Sequence, residues 1–408
     1  MSPNTIMPFA SPLYVMLKPV GAICNLACDY CYYLEKSSLY KENPKHVMSD
    51  SLLEKFIEEY INAQTTPQVL FTWHGGETLM RPLSFYKKAV ELQKKHANGR
   101  TIENCIQTNG TLLTDEWCTF FRENNWLVGV SVDGPQEFHD EYRRNKQGQP
   151  SFQKVMKGIG LLKKYGVEWN AMAVVNDFNA DYPLDFYHFF KELDCHYIQF
   201  TPVVERMKPQ TDGRHLAAPS EKENHNLADF SVSPEQWGKF LCTIFDEWVR
   251  KDVGNYFIQI FDSTLANWVG QKPGVCTLAK NCGHAGVMEF SGDVYSCDHF
   301  VFPEYKLGNI YTNGLSEMFY SERQLAFGEA KSKTLPGQCT ECEYLFACNG
   351  ECPKNRFATT GTGEPGLNYL CKGYFKFFQH AAPSMDFMKK ELLNQRPPAN
   401  VMEWIKRK

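Results

Sequence analysis

Three cysteines stand close together near the amino end, in the run Cys24-Asn25-Leu26-Ala27-Cys28-Asp29-Tyr30-Cys31, and the next cysteine along the chain is Cys105. Thiolates at this spacing can hold three irons of a cubic four-iron cluster and leave the fourth iron without a protein ligand. An ordinary electron-transfer cluster is closed by four cysteines. An open iron can take an outside chelate, such as the amine and carboxylate of an amino acid. Read alone, the triplet also fits a zinc site that borrows a distant fourth ligand, or buried thiols with no ligand role.

A second set lies far downstream. Cys276, Cys282, Cys297, Cys339, Cys342, Cys348, Cys352 and Cys371 supply eight thiols, enough for two four-ligand sites, each closed. The run from Cys339 through Cys342 and Cys348 to Cys352 is a compact ligand loop that zinc and iron–sulfur clusters would both accept. Four further thiols, Cys105, Cys118, Cys195 and Cys242, fall in expected strands or helices and read as buried core.

Composition narrows the class. At 408 residues with 43% hydrophobic and 14% aromatic content, the chain can build one large catalytic domain and a smaller appendage. The net charge is −4, and the only basic run is Lys406-Arg407-Lys408, which argues against a dedicated nucleic-acid surface. Met1-Ser2-Pro3-Asn4 opens no secretory signal, and no window of about 18 apolar residues suggests a membrane span. A cytoplasmic location follows, where dense cysteine usage points to metal rather than disulfides. Such clusters are damaged by oxygen, so an anaerobic setting is expected.

These side chains need a scaffold. Apolar periodicity predicts strands at 13–18, 69–74, 104–108, 127–132, 168–175 and 197–204, and helices at 48–63, 83–97, 114–124, 152–165 and 183–193. Six parallel βα units cannot close an eight-stranded barrel, so an open partial (β/α)6 barrel is expected. Chemistry gathers at the carboxyl edge of such sheets. The cysteine triplet, Gly75-Gly76-Glu77, Asn109, Ser131, Asp133 and the stretch 201–204 all fall at strand ends. The polar stretch 205–231, with Pro209, Gly213, Pro219 and Glu221-Lys222-Glu223, reads as a long loop or lid without chemistry. Helices follow at 234–251 and 256–269, and 292–298 looks like a hairpin that delivers Cys297. The expected division is a barrel at 1–232, a helical linker at 233–275, a twin-cluster domain at 276–380 and a helical tail at 381–408.

The C-x3-C-x2-C pattern resembles the signature of radical S-adenosylmethionine enzymes, and Trp73-His74-Gly75-Gly76-Glu77 resembles that family's glycine-glycine-glutamate segment. The family usually has proline next, where this chain has Thr78. The resemblance implies that the open iron and the backbone of Gly75 and Gly76 bind S-adenosyl-L-methionine. It further implies that Tyr30 lies against adenine, that Ser131 and Arg143 contact the ribose and the carboxylate, and that Val204 reaches the adenine edge.

The tail is similar to the SPASM extension, with a close fit to the anaerobic sulfatase-maturating enzymes. This resemblance implies three [4Fe-4S] clusters. Cys276, Cys282, Cys297 and Cys352 would ligate the nearer auxiliary cluster, and Cys339, Cys342, Cys348 and Cys371 the farther one. It implies oxidation of a cysteine or serine Cβ, in an unfolded sulfatase segment, to formylglycine. Hydrogen abstraction by a 5′-deoxyadenosyl radical starts the reaction, an auxiliary cluster accepts an electron and Asp298 acts as general base. The electron donor would be flavodoxin or ferredoxin, with no nucleic acid or membrane involved. Two other outcomes stay open at this point: a twin-cluster enzyme that crosslinks peptides, and a zinc-stabilised interaction protein.

Overall fold

The computed structural model describes residues 12–42, 46–208, 216–221, 226–283 and 285–407. Met1-Ser2-Pro3-Asn4, Pro209, Gly213, Lys222, Glu223 and Lys408 lie outside the described residues. The first elements are β1 (Tyr14–Lys18), α1 (Asp50–Ala63), β2 (Gln68–Trp73), α2 (Leu83–His96), β3 (Thr101–Thr108), α3 (Asp115–Glu123), β4 (Leu127–Ser131), α4 (Gln136–Tyr142), α5 (Phe152–Tyr165), β5 (Trp169–Val175), α6 (Pro183–Glu192) and β6 (Tyr197–Pro202). This is the expected alternation, with the short α4 added after β4. Then follow β7 (Arg206–Met207), β8 (Asn226–Leu227), α7 (Pro234–Lys251), β9 (Phe257–Ile258), α8 (Gln259–Trp268), β10 (Ala285–Glu289), β11 (Asp293–Tyr295) and β12 (Lys306–Asn309).

The chain divides into two compact units. The first comprises Met1–Ser131, Arg143–Trp169 and Gly283–Gly328. Its strand order is β12-β11-β10-β1-β2-β3-β4, with the run from β10 to β4 parallel. Local signals set the helix bounds. Ser49 Oγ accepts from the Leu52 amide at 3.1 Å to open α1. Gly166 closes α5 at φ 62°, a left-handed conformation that suits glycine. The core is aromatic: Trp73 stacks on Trp126 at 5.9 Å, and Trp117 on Phe121 at 5.5 Å.

One feature of this sheet was not foreseen. The first arm of the expected hairpin is β10, which pairs with β1 along its whole length, from Tyr14↔Ala285 to Lys18↔Glu289. The strand is buried on both faces, so it carries no alternation that sequence reading could detect.

The second unit comprises Val132–Tyr142, Asn170–Cys282 and Glu329–Lys408. Within it β5, β6 and β9 pair in parallel. Because the Phe257 amide donates to the His196 carbonyl at 2.7 Å, residues 257–258 extend this sheet. The helix expected from 256 therefore starts at Gln259. The stretch 205–231 is also corrected: it contains the antiparallel pair Arg206↔Leu227 and is not a plain loop. Helix Cys371–Leu393 packs on α7 across Gly238 and Gly373, where a Cβ on Gly373 would come within 2.4 Å of the Pro234 carbonyl. Of the four leftover thiols, Cys118, Cys195 and Cys242 are buried, while Cys105 is half-buried with its sulfur 3.2 Å from the Thr72 hydroxyl. Cys195 lies in the short connection between α6 and β6, not in a strand or helix. Among the described residues no helix is long and apolar enough to cross a membrane.

Candidate active site and cluster sites

The loop after β1 carries Cys24, Cys28 and Cys31, all partly exposed. The end of β3 and the loop after it hold this segment in place. Asn109 Nδ2 donates to Asn25 Oδ1 at 2.8 Å and to Cys24 Sγ at 3.7 Å. Asn25 Nδ2 in turn donates to the Thr111 hydroxyl at 2.9 Å. The Leu26 amide donates to Cys24 Sγ at 3.3 Å, and the Ala27 amide to the Arg144 carbonyl at 2.8 Å. Hydrogen bonds of this kind favour a thiolate and tune a cluster bound through it. Burial, followed by the charge of Glu77, pushes the Cys24 thiol up to about 11, and burial raises Cys31 as well. These thiols keep their protons unless a metal replaces them.

The glycine pair after β2 meets this loop directly. The Gly76 amide donates to the Gly21 carbonyl at 2.7 Å, and the Glu77 amide to the Ile23 carbonyl at 2.8 Å. A Cβ on Gly76 would fall 2.0 Å from the Ile23 carbonyl oxygen, so the missing side chain makes room for the protein's own backbone. Glu77 is fully buried, accepting from the Leu79 amide at 2.9 Å and from the Thr108 hydroxyl and Asn109 amide at 2.7 Å each. Thr78 is accommodated where proline was expected, its hydroxyl donating to the Gln107 carbonyl at 2.8 Å.

Asp298, on the short turn after β11, faces the end of β1. Lys18 Nζ lies 2.6 Å from its Oδ1, and the Tyr32 hydroxyl donates to its Oδ2. Lys18 is completely buried, whereas 13% of the Asp298 side chain is exposed. The same ammonium lies 3.1 Å from His74 Nδ1 and 4.0 Å from the centre of the Tyr33 ring. Burial and Lys18 push His74 down to about 3, leaving a neutral ring. Burial also opposes ionisation of Asp298, but the Lys18 ammonium outweighs it and holds the carboxyl below its usual range. The neighbouring buried carboxyl is pushed the other way: burial lifts Glu289 to about 7, although the Tyr33 hydroxyl donates to it. Environments that separate two carboxyls in this way also separate their proton-transfer roles.

The remaining expected cofactor contacts fall in both units. In the first, the Arg143 guanidinium sits 5.4 Å from the ring centre of the buried Tyr30, and the Ser131 hydroxyl accepts from Gln107 Nε2 at 2.9 Å. In the second, the Val204 carbonyl accepts from Lys354 Nζ at 3.1 Å.

Cys339, Cys342, Cys348 and Cys371 line a single cavity of about 390 Å³ in the second unit, beside Tyr344 and Phe375. Burial pushes Cys348 up to about 12 and Cys371 to about 11. A single zinc would draw its sulfurs to about 2.3 Å. Four thiols on one cavity form a complete four-thiolate ligand set, which a closed cluster or a zinc ion could take. Cys276, Cys282 and Cys352 lie in the same unit, where the Lys331 ammonium donates to the Cys276 and Thr277 carbonyls at 2.6 and 2.7 Å. Cys297 belongs to the first unit, directly before Asp298.

Residues 19–190 match the radical SAM superfamily, and residues 276–343 match SPASM, an iron–sulfur cluster-binding domain. Over 406 residues, covering 100% of this chain and 98% of the relative, the sequence is 78% identical to the serine-type anaerobic sulfatase-maturating enzyme of Bacteroides thetaiotaomicron. The chain belongs to the anaerobic sulfatase-maturating enzymes. It is 32% identical to the cysteine-type anaerobic sulfatase-maturating enzyme of Clostridium perfringens, over 92% of this chain and 97% of that one. A solved structure, native anSMEcpe with bound AdoMet and Cp18Cys peptide, is 31% identical, covers 93% of this chain and 100% of its own, and superposes with a TM-score of 0.82.

An anaerobic sulfatase-maturating enzyme is a radical S-adenosylmethionine oxidoreductase, with three [4Fe-4S] clusters and S-adenosyl-L-methionine as cofactors. The mostly parallel α/β fold with a SPASM extension is the fold of this family. The reading as a zinc-stabilised interaction protein falls.

Sequence reading passed over three groups that this geometry brings forward. Lys18 and Tyr32 meet Asp298, and His74 meets Lys18. A lysine closing the otherwise apolar strand Tyr-Val-Met-Leu-Lys was the available signal, since lysine is seldom fully buried unless paired.

Proposed function

We propose that this enzyme oxidises a serine side chain in an unfolded sulfatase segment to Cα-formylglycine, in the cytoplasm of an anaerobically living cell. The observation that carries the reading is the position of Asp298: ionised, partly open and directly after Cys297, on the sheet whose neighbouring loop holds the cysteine triplet. The preference for serine is supported by 78% identity to a serine-type relative against 32% to a cysteine-type one.

Cys24, Cys28 and Cys31 hold the cluster with the open iron. Tyr30, Gly75, Gly76, Ser131, Arg143 and Val204 bind S-adenosyl-L-methionine. Cys276, Cys282, Cys297 and Cys352 hold the nearer auxiliary cluster, and Cys339, Cys342, Cys348 and Cys371 the farther one. When bound, these groups supply a hydrogen-abstracting 5′-deoxyadenosyl radical and an electron acceptor, chemistry beyond any side chain. A low-potential donor such as flavodoxin or ferredoxin supplies the starting electron.

The protein's own contribution is orientation and proton removal. Conversion of the serine CH₂OH to an aldehyde removes one hydrogen atom, one electron and the hydroxyl proton, and Asp298 takes the proton.

Anaerobic turnover with paired peptides carrying a sulfatase motif, one with serine and one with cysteine, tests the reaction. A serine peptide that loses two hydrogen atoms supports it, and preferential turnover of the cysteine peptide would reverse the specificity. The Asp298→Asn enzyme should still form 5′-deoxyadenosine while formylglycine falls by about 10²-fold. Normal aldehyde yield in that variant removes the base from Asp298.

A further inference from the structure

We infer that Lys18 is a positioning residue for the proton-transfer step: sealed behind Asp298, it fixes the carboxylate so that its open edge receives the hydroxyl proton of the substrate. This rests on the reading of Asp298 as the general base.

The topology brings the two together. Lys18 is the last residue of β1 and the register partner of Glu289 on β10. The chain turns at Gly292, φ 87°, into β11 and returns to Asp298 beside the lysine. Asp298 sits on the three-residue turn Asp298–Phe300, where helix geometry alone does not fix its side-chain torsions. Lys18 at Oδ1 and the Tyr32 hydroxyl at Oδ2 clamp both oxygens; Oδ1 is enclosed beside the lysine, and Oδ2 keeps a second lone pair for a proton.

The exposure of the pair separates their roles. Lys18 is fully buried and Asp298 Oδ1 beside it is enclosed, while 13% of the aspartate side chain is exposed, so a substrate approaches from the Oδ2 side and not from the counter-ion. An ammonium has three N–H donors. Two acceptors, Asp298 Oδ1 and His74 Nδ1, and one aromatic face, Tyr33, account for all three. No donor remains for a substrate, so Lys18 acts through Asp298.

The step balances without a further reactant. The serine Cβ gives one hydrogen atom to the deoxyadenosyl radical, one electron goes to an auxiliary cluster, and the hydroxyl proton goes to Asp298. The C–O single bond becomes a double bond, and Lys18 ends with the proton it had.

The test is a double-mutant cycle on cluster-loaded, full-length enzyme with a serine sulfatase peptide, comparing Lys18→Met, Asp298→Asn and the pair. The readouts are formylglycine formed per 5′-deoxyadenosine, thermal unfolding, and the orientation of the Asp298 carboxylate in a crystal of Lys18→Met. We expect Lys18→Met to lower the ratio about ten- to a hundredfold, as for a misplaced reacting group. It should add no further loss in the Asp298→Asn background, and the carboxylate should be rotated. An unchanged ratio in Lys18→Met, beside a low ratio in Asp298→Asn, overturns the inference and leaves the base reading standing. Losses that multiply overturn it as well, because Lys18 would then act independently of Asp298. A normal ratio in Asp298→Asn removes the base reading, and this inference with it. Where Lys18→Met does not fold, Lys18→Gln takes its place in the same cycle. If neither folds alone, recovery of folding in the Asp298→Asn background supports the pairing, and continued misfolding there counts against it.

Discussion

Anaerobically reconstituted protein with alanine at Cys24, Cys28 and Cys31 will form 5′-deoxyadenosine no faster than an enzyme-free control. It will still bind about eight of the parent's roughly twelve irons. On the proposed assignment the three thiols are the whole protein ligand set of the open cluster, and no other described cysteine lies in their loop. The loop should survive their loss. Its main ties, Asn25 to Asn109 at 2.8 Å, Asn25 to Thr111 at 2.9 Å and Ala27 to Arg144 at 2.8 Å, use no sulfur. The thermal transition should therefore stay close to that of the parent, so that lost activity is not lost folding. Iron analysis with liquid chromatography of the nucleoside product checks both halves. Deoxyadenosine at the parental rate would falsify the open-cluster assignment and everything built on it.

Replacing Gly76 by alanine should be the most damaging single methyl addition in the first unit. The new Cβ would meet the Ile23 carbonyl oxygen at 2.0 Å, the Ile23 carbonyl carbon at 2.4 Å and the Ala22 carbonyl carbon at 2.7 Å. All three are backbone atoms, so no rotamer change can relieve the overlap. Relief requires the loop before Cys24 to move, which breaks the Gly76–Gly21 and Glu77–Ile23 hydrogen bonds. Overpacking of this severity costs about 3 kcal/mol or more. The expected result is a large fall in the denaturation midpoint, together with weakened S-adenosyl-L-methionine binding and bleached cluster absorbance. Gly160→Ala is the control. It adds a methyl to α5 that meets no atom within 4 Å beyond the adjacent backbone of its own helix, and should raise stability by about 0.5–1 kcal/mol. Equal stability of the two variants would show that the loop is softer than this packing implies.

The parts legible in the sequence were those governed by local pattern. Helix α1 could be placed from Ser49 and the spacing of Leu52, Phe56 and Tyr60, because capping and amphipathic burial act within one turn. The hairpin before Cys297 was legible because its turn centres on Gly292. The pairing of β10 with β1 was not, since it depends on contacts far apart in sequence and leaves no periodic trace. Strand β9 escaped for a related reason: two residues are too few to carry an alternation, and Phe257 and Ile258 suit a helix equally well. At the site, cysteine spacing pointed to candidate ligands and the family resemblance proposed their partition, but the surroundings of Asp298 required the fold. Lys18, Tyr32 and His74 converge from three separate stretches, and no motif links them to a residue on the far hairpin.

The long-range completion of β1 also bears on how the chain is made. Until residues 285–289 leave the ribosome, the first strand offers a bare row of amide donors and carbonyl acceptors on its outer side, and Lys18 has no anion to neutralise it. Open edges of this kind invite pairing with other chains. The amino-terminal portion is thus poorly suited to life as a detachable module, and chaperone shielding during synthesis would serve it until the distant hairpin arrives.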